Sequence, residues 1–245
     1  MRTLVVQPGD RELRGDTRVV TTQVGIVVFP GSNCEQDCEK VFRDLGAEPV
    51  MVWHADETLP DVDIVVLPGG FAHGDYLRTG ALARFSPIMA AVQTHSRAGG
   101  LTIGICNGFQ VLCEAGMLPG ALRKNAGLKF LCKWVDLEVA NPDTPFTART
   151  SSGQRLRIPI NHFEGNWYCE TDVLRELHGN GQIVLRYADN PNGSLDSVAG
   201  IANRDFTVFG LMPHPERACE AILGSEDGRL ILGSMLDHVS PKVGV

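Results

Sequence analysis

Cys106 lies at the centre of Gly104-Ile-Cys106-Asn-Gly108-Phe-Gln110, directly after the apolar run 101–105. A short run of that kind reads as a strand buried on both faces. Residues 109–115, closed by Gly116, read as the helix that follows. A nucleophile wedged between strand and helix, with glycine two residues away on each side, has the layout of a nucleophile elbow. The turn is tight and leaves no room for a side chain beside the reacting atom. The helix N-terminus behind the sulfur favours thiolate over thiol. The chemistry implied is covalent and passes through sulfur.

Such a nucleophile needs a base, and the base needs a group to orient it. His214, in Met212-Pro-His-Pro-Glu-Arg217, follows the apolar run 207–212 as Cys106 follows its own. Both then fall at the carboxyl edge of a sheet, where α/β sites assemble. Glu216 can turn back to the imidazole, which completes a nucleophile, base and orienter. Attack on a carbonyl develops charge on oxygen, and backbone N–H groups must meet it. The amide of Asn107 is one donor by elbow geometry. Gly70, in Pro68-Gly-Gly-Phe71 after another apolar run, is the second.

These residues need a frame. Apolar runs at 24–29, 49–53, 63–67 and 101–105 alternate with helical spacing, including the stripe Cys34, Cys38, Val41, Phe42 and Leu45. Ser32 or Asn33 is placed to cap that first helix, a long helix is expected over 78–98, and a terminal helix over 227–238. The order predicts an α/β fold, a mostly parallel central sheet flanked by helices. In the second half, runs at 133–139, 155–160, 183–187 and 197–201 are short and nearly alternating, and Asn190-Pro-Asn-Gly193 is a turn signal. Additional antiparallel strands are expected there. Residues 1–22 read as an N-terminal extension before one domain, 23–245.

The chain has 245 residues and a formal charge of −7. That balance, with no basic block, argues against nucleic acid as a partner. No apolar stretch approaches the roughly 18 residues that span a bilayer. Seven cysteines form no CxxC and no metal-like cluster, so no metal is expected, and reduced thiols in a cytoplasm are. Cys34 and Cys38 read as core packing. On these residues alone, an amidotransferase, another cysteine hydrolase on the same architecture and a non-catalytic binding subunit all stay open.

The motifs together are similar to those of the class I, triad-type glutamine amidotransferases. Phe29-Pro-Gly-Ser-Asn-Cys34, Pro68-Gly-Gly-Phe-Ala-His-Gly-Asp-Tyr-Leu-Arg78, Gly104-Ile-Cys-Asn-Gly-Phe-Gln110, Asn190-Pro-Asn-Gly-Ser194 and Met212-Pro-His-Pro-Glu-Arg217 most resemble the glutaminase subunits of phosphoribosylformylglycinamidine synthase. The resemblance implies a flavodoxin-like glutaminase fold, with 23–245 as a type 1 glutamine amidotransferase domain. It implies that Cys106, His214 and Glu216 hydrolyse glutamine through a thioester, with Gly70 and Asn107 as oxyanion donors. Gln110, His162 and Gly165 border the glutamine, and Asp75, Tyr76 and Arg78 are the candidate contact with a partner. It implies no cofactor in this chain. ATP and Mg²⁺ belong to a synthetase subunit, PurL, which receives the ammonia to convert formylglycinamide ribonucleotide to its amidine, and a small subunit, PurS, completes the assembly. The chain departs from the family pattern at residues 1–22, His73, Asn161 and Phe163.

Overall fold

The structure, a computed structural model, describes residues 21–240; the extension expected over 1–22 lies outside the described residues except for its last two. The strands are β1 (Gln23–Val28), β2 (Glu48–Trp53), β3 (Ile64–Leu67), β4 (Leu101–Ile105), β5 (Ala121–Arg123), β6 (Leu131–Val139), β7 (Arg155–His162), β8 (Asn166–Tyr168), β9 (Ile183–Tyr187), β10 (Val198–Ala202) and β11 (Val208–Leu211). The helices are α1 (Glu35–Asp44), α2 (Ile88–Arg97), α3 (Asn107–Glu114), α4 (Thr171–Gly179) and α5 (Gly228–Val239). Nine strands form one sheet in the order β2-β1-β3-β4-β11-β10-β9-β6-β7, and β5 pairs with β8 separately. From β2 to β11 the pairing is parallel, and from β11 to β7 it is antiparallel. The mostly parallel sheet with an antiparallel second half is therefore as expected.

β3, β4 and β11 are buried at every position, which is why they read as continuous apolar runs without alternation. Their neighbouring carboxyl ends carry the Gly70 loop, Cys106 and His214 in turn. β7 alternates buried and exposed residues, as a sheet strand with one wet face does.

Two local expectations change. α2 begins only at Ile88, after a separate 3-10 turn at Ala83–Phe85. Pro87 holds Ser86 in an extended conformation, with ψ 138, so a helix cannot run through it. Neither Ser32 nor Asn33 caps α1: its N-cap is Cys34, and the Ser32 hydroxyl instead accepts a hydrogen bond from the Phe29 N–H at 3.0 Å. The N–H groups of Asn33 and Cys34 donate to the Gly69 carbonyl at 3.0 and 3.1 Å, which ties the start of α1 to the loop after β3. α4 and the small β5–β8 sheet were not expected.

The elbow glycines serve a purpose other than clearing space beside the sulfur. Gly104 of β4 is the register partner of Gly210 of β11. A Cβ on Gly104 would meet the Gly108 backbone at 2.6 Å, and one on Gly210 would meet the Phe109 ring at 2.1 Å. The bare backbones form a trough in which the first turn of α3 lies. Gly108 closes it: its own Cβ would sit 1.9 Å from the Leu67 carbonyl oxygen. Gly108→Ala must therefore push α3 off β3, and it is expected to cost about 3 kcal/mol, as overpacking against backbone does. Urea unfolding of the variant would measure this, and an unchanged midpoint would show that α3 rests elsewhere.

Candidate active site

Cys106 sits between β4 and α3 with φ 51 and ψ −103, a conformation strained for any residue with a Cβ. Its N–H bonds to the Leu211 carbonyl at 2.8 Å, which joins the elbow to the end of β11. Its thiol faces the Asn161 carbonyl on β7 at 3.7 Å. Next along the chain from β11, His214 is buried, and its Nδ1 lies 2.6 Å from the Glu216 carboxylate. Its Nε2, the ring nitrogen left for the sulfur, has no hydrogen-bond partner among the described residues. Burial pushes the proton affinity of the imidazole down. The carboxylate of Glu216 and the sulfurs of Cys106 and Cys34 outweigh it, so the ring is held well above the ordinary histidine value. The structure thus brings the three expected triad residues to one point.

The frame around the ring has further parts. The His214 N–H donates to the Pro159 carbonyl of β7 at 2.8 Å. A Cβ on Gly69 would meet the imidazole Cε1 at 2.7 Å and the Cys34 sulfur at 3.0 Å, so glycine is required there. Cys34 is buried, as core packing predicts, but it packs against the triad: its Sγ is 3.9 Å from His214 Nδ1 and accepts from the Arg217 guanidinium at 3.2 Å. Sequence reading missed this contact. Ligand atoms of Cys34, His214 and Glu216 lie within 4.8 Å of one another. The Arg217 charge on that sulfur and the short Nδ1–Glu216 hydrogen bond suit a protonated ring there rather than a cation.

Gly70 has φ 152, and a Cβ there would strike Gly31 and Asn33 at 2.6 and 2.7 Å. The bonds beside it run from the Phe71 N–H to Gly31 and from the Asn33 N–H to Gly69, which leaves the Gly70 N–H outside this ladder. The Asn107 N–H opens α3, where no intrahelical acceptor exists. Its side chain is a knot. The amide oxygen accepts from the Ala72 N–H at 2.9 Å, and the amide nitrogen donates to Gln110 Oε1 at 2.8 Å and to Asp75 at 3.2 Å. Gln110 then donates to the Glu164 carbonyl at 2.6 Å. Elbow, Gly70 loop and the segment after β7 are thereby one unit.

A cavity of about 350 Å³ opens in front of Cys106, bounded by Gly70, Gln110, Asn161, His162 and Glu164 among others. His162 is buried; its Nδ1 is 3.1 Å from Asn125 Oδ1, and burial together with the nearby His214 pushes it down to about 3, so it stays neutral. Gly165 must be glycine, since the His162 ring lies 2.2 Å from where a Cβ would be. Its N–H donates to Asn125 and its carbonyl accepts from Asn192. Asn125 and Asn192 are buried supports that sequence reading missed, Asn192 having been visible only as part of a turn motif. Phe163 also lines the cavity and carries the Lys124 ammonium over its ring at 5.8 Å. His73 shares the Ser86 hydroxyl with His54.

The three candidate partner contacts separate. Tyr76 is 72% exposed. Arg78 makes two bonds to Glu114, at 2.5 and 2.7 Å. Asp75 turns inward and lines the cavity. Burial pushes its carboxyl up to about 6, opposed by the hydrogen bond from Asn107 and helped by the charge of Glu164.

A buried cysteine at a strand–helix elbow, a carboxylate-bound histidine just past the end of the adjacent parallel strand and the amides of Gly70 and Asn107 beside them form a cysteine triad of the kind that triad-type amidotransferases use. Residues 21–229 match the CobB/CobQ-like glutamine amidotransferase domain. The subunit PurQ of phosphoribosylformylglycinamidine synthase from Salinibacter ruber is 50% identical over 231 residues, covering 90% of this chain and 98% of that one. PurQ of Moorella thermoacetica is 52% identical, covering 87% and 94%. The solved structure of PurLQS from Thermotoga maritima contains a chain with TM-score 0.84 and 44% identity, covering 90% of this chain and all of that one. The chain belongs to the CobB/CobQ-like glutamine amidotransferase family and, within it, to the PurQ subunits. Among the described residues, no helix is long and apolar enough to cross a membrane.

Proposed function

We propose that this chain is the glutaminase subunit of phosphoribosylformylglycinamidine synthase. The observation that carries the reading is the placement of Cys106 and His214 at the ends of the paired strands β4 and β11, with Glu216 2.6 Å from the far nitrogen of the ring. The Cys106 thiol passes its proton to His214 Nε2, and the sulfur attacks the side-chain amide carbon of glutamine. The N–H groups of Gly70 and Asn107 hold the oxyanion. His214 gives its Nε2 proton to the departing nitrogen, which leaves as ammonia, and a glutamyl thioester remains. Water, deprotonated by the same nitrogen, then attacks the thioester, glutamate leaves and the thiol is restored. Glu216 fixes the ring so that Nε2 faces the sulfur in both steps. His162, buried and neutral, serves as a wall of the substrate cavity.

The ammonia is consumed by a synthetase subunit of the PurL kind, with PurS as third member, to convert formylglycinamide ribonucleotide to its amidine. ATP and Mg²⁺ act in that synthetase and have no place in this chain's own steps. Exposed Tyr76, on the loop that also carries Gly70, is the contact through which the partner reaches the oxyanion donors. Co-purification of this chain with the synthetase and small subunit should give glutamine-dependent amidation, with glutamate release at least about tenfold faster than from the chain alone. Amidation that uses ammonium salts but never glutamine in the assembled complex would overturn the reading.

A further inference from the structure

The cavity before Cys106 carries charges that the cysteine chemistry does not use. Asp75 brings a carboxylate from the loop after β3, Glu164 brings another from the segment after β7, and Lys124 brings an ammonium. Arg78 also lines it, but its charge is already matched by Glu114. Lys124 lies over the Phe163 ring and, among the described residues, forms no ion pair with a carboxylate. Asp75 is held in place: Asn107 donates to it at 3.2 Å, and its backbone takes a left-handed conformation, φ 52. Keeping a half-buried carboxylate beside a second one is costly unless a cation meets it. Two carboxylates and one ammonium around a small cavity complement the two charges of an α-amino acid head group, with one carboxylate in excess.

We propose that Asp75, together with Glu164, binds the α-ammonium of glutamine while Lys124 faces its α-carboxylate, so that Asp75 sets the preference for the amino acid over side-chain amides without an α-amine. The inference rests on the glutaminase reading and refines it, moving Asp75 from the partner surface to the substrate. The Asn107 knot gives it a fixed relation to the elbow. One asparagine side chain touches the residue that reads the head group while its own backbone N–H faces the reacting carbonyl.

The test uses the complex assembled with the synthetase. The probes are L-glutamine as substrate and 5-amino-5-oxopentanoate, which is glutamine without its α-amino group, as competitive inhibitor. Asparagine tolerates the left-handed backbone at this position, so Asp75→Asn is the first variant and Glu164→Gln the second. The KM for glutamine should rise about 10- to 100-fold in Asp75→Asn, the range for loss of a charged hydrogen bond, while the Ki of the analogue changes less than about threefold. Glu164→Gln should move KM in the same direction, again without Ki, and decides the matter if Asp75→Asn does not assemble. KM and Ki rising together would show a structural role and overturn the proposal, as would no change in either. Absence of glutamate release by the unaltered complex would instead overturn the glutaminase reading.

Discussion

Replacing Cys106 by alanine is expected to lower glutamate release by at least about 10⁴-fold, the scale on which loss of a covalent nucleophile acts in comparable triads. The reason is geometric. Among the described residues, Cys34 is the other thiol in contact with the His214 ring, but it lies at the Nδ1 side, the side taken by Glu216. Burial raises its pKa, so it stays a thiol and offers no replacement nucleophile. Water is a far weaker nucleophile than the Cys106 sulfur, so only the residual rate that substrate binding and the oxyanion donors supply should remain. The Cys106→Ala variant keeps the Cβ and the backbone bond from this position to Leu211, so it should still bind the synthetase. With ammonium supplied, its complex should amidate at the ordinary rate. Glutamate release within tenfold of the parent would exclude Cys106 as the nucleophile.

The second large effect is on stability in acid. His162 is buried at 3% exposure, and its folded value is about 3 against 6.5 when unfolded. Between those limits the unfolded chain binds a proton that the native chain refuses, so stability falls as pH falls. The gap amounts to about 4 kcal/mol by pH 3. His214 acts with the opposite sign: its folded value is raised, so its contribution is in place below 6.5 and is lost as pH rises through that raised value. Urea unfolding of the parent and of His162→Gln from pH 7 to 3.5 would separate the two. Stability of the parent should fall more steeply than that of the variant, by nearly one proton per molecule. Parallel slopes would mean that His162 takes up its proton in the folded state. The slope is the decisive quantity, because glutamine also alters the contact with Asn125 and so shifts stability at every pH.

What could be read from the chain follows from where each interaction lives. The elbow was legible because Gly104 and Gly108 flank Cys106 in sequence and the reason for them is local, although the trough they form with Gly210 is not. His214 and Glu216 were legible because a strand end and a two-residue return are short-range features. The role of β7 was hidden. Asn161 and Pro159 meet the thiol and the base through main-chain carbonyls, which any residue type supplies. Asn125 and Asn192 were hidden for a related reason, since an asparagine in a polar turn looks the same whether it faces water or a buried glycine. Cys34 read as one member of a helical apolar stripe, and nothing in that stripe reports that the strand 180 residues further on ends at its sulfur. The break of the expected helix over 78–98 was visible in principle, because Pro87 forbids the residue before it a helical backbone.

Among the described residues, β7 is the last strand of the sheet, paired on one side only, to β6, yet its carbonyls touch both the thiol of residue 106 and the main chain of residue 214. Outermost strands open at lower free energy than the interior ones. Turnover should therefore fade on warming well before the parallel strands melt, and should return on cooling. The heat sensitivity of catalysis is thus expected to lie at the sheet's margin, and the heat resistance of the fold in its middle.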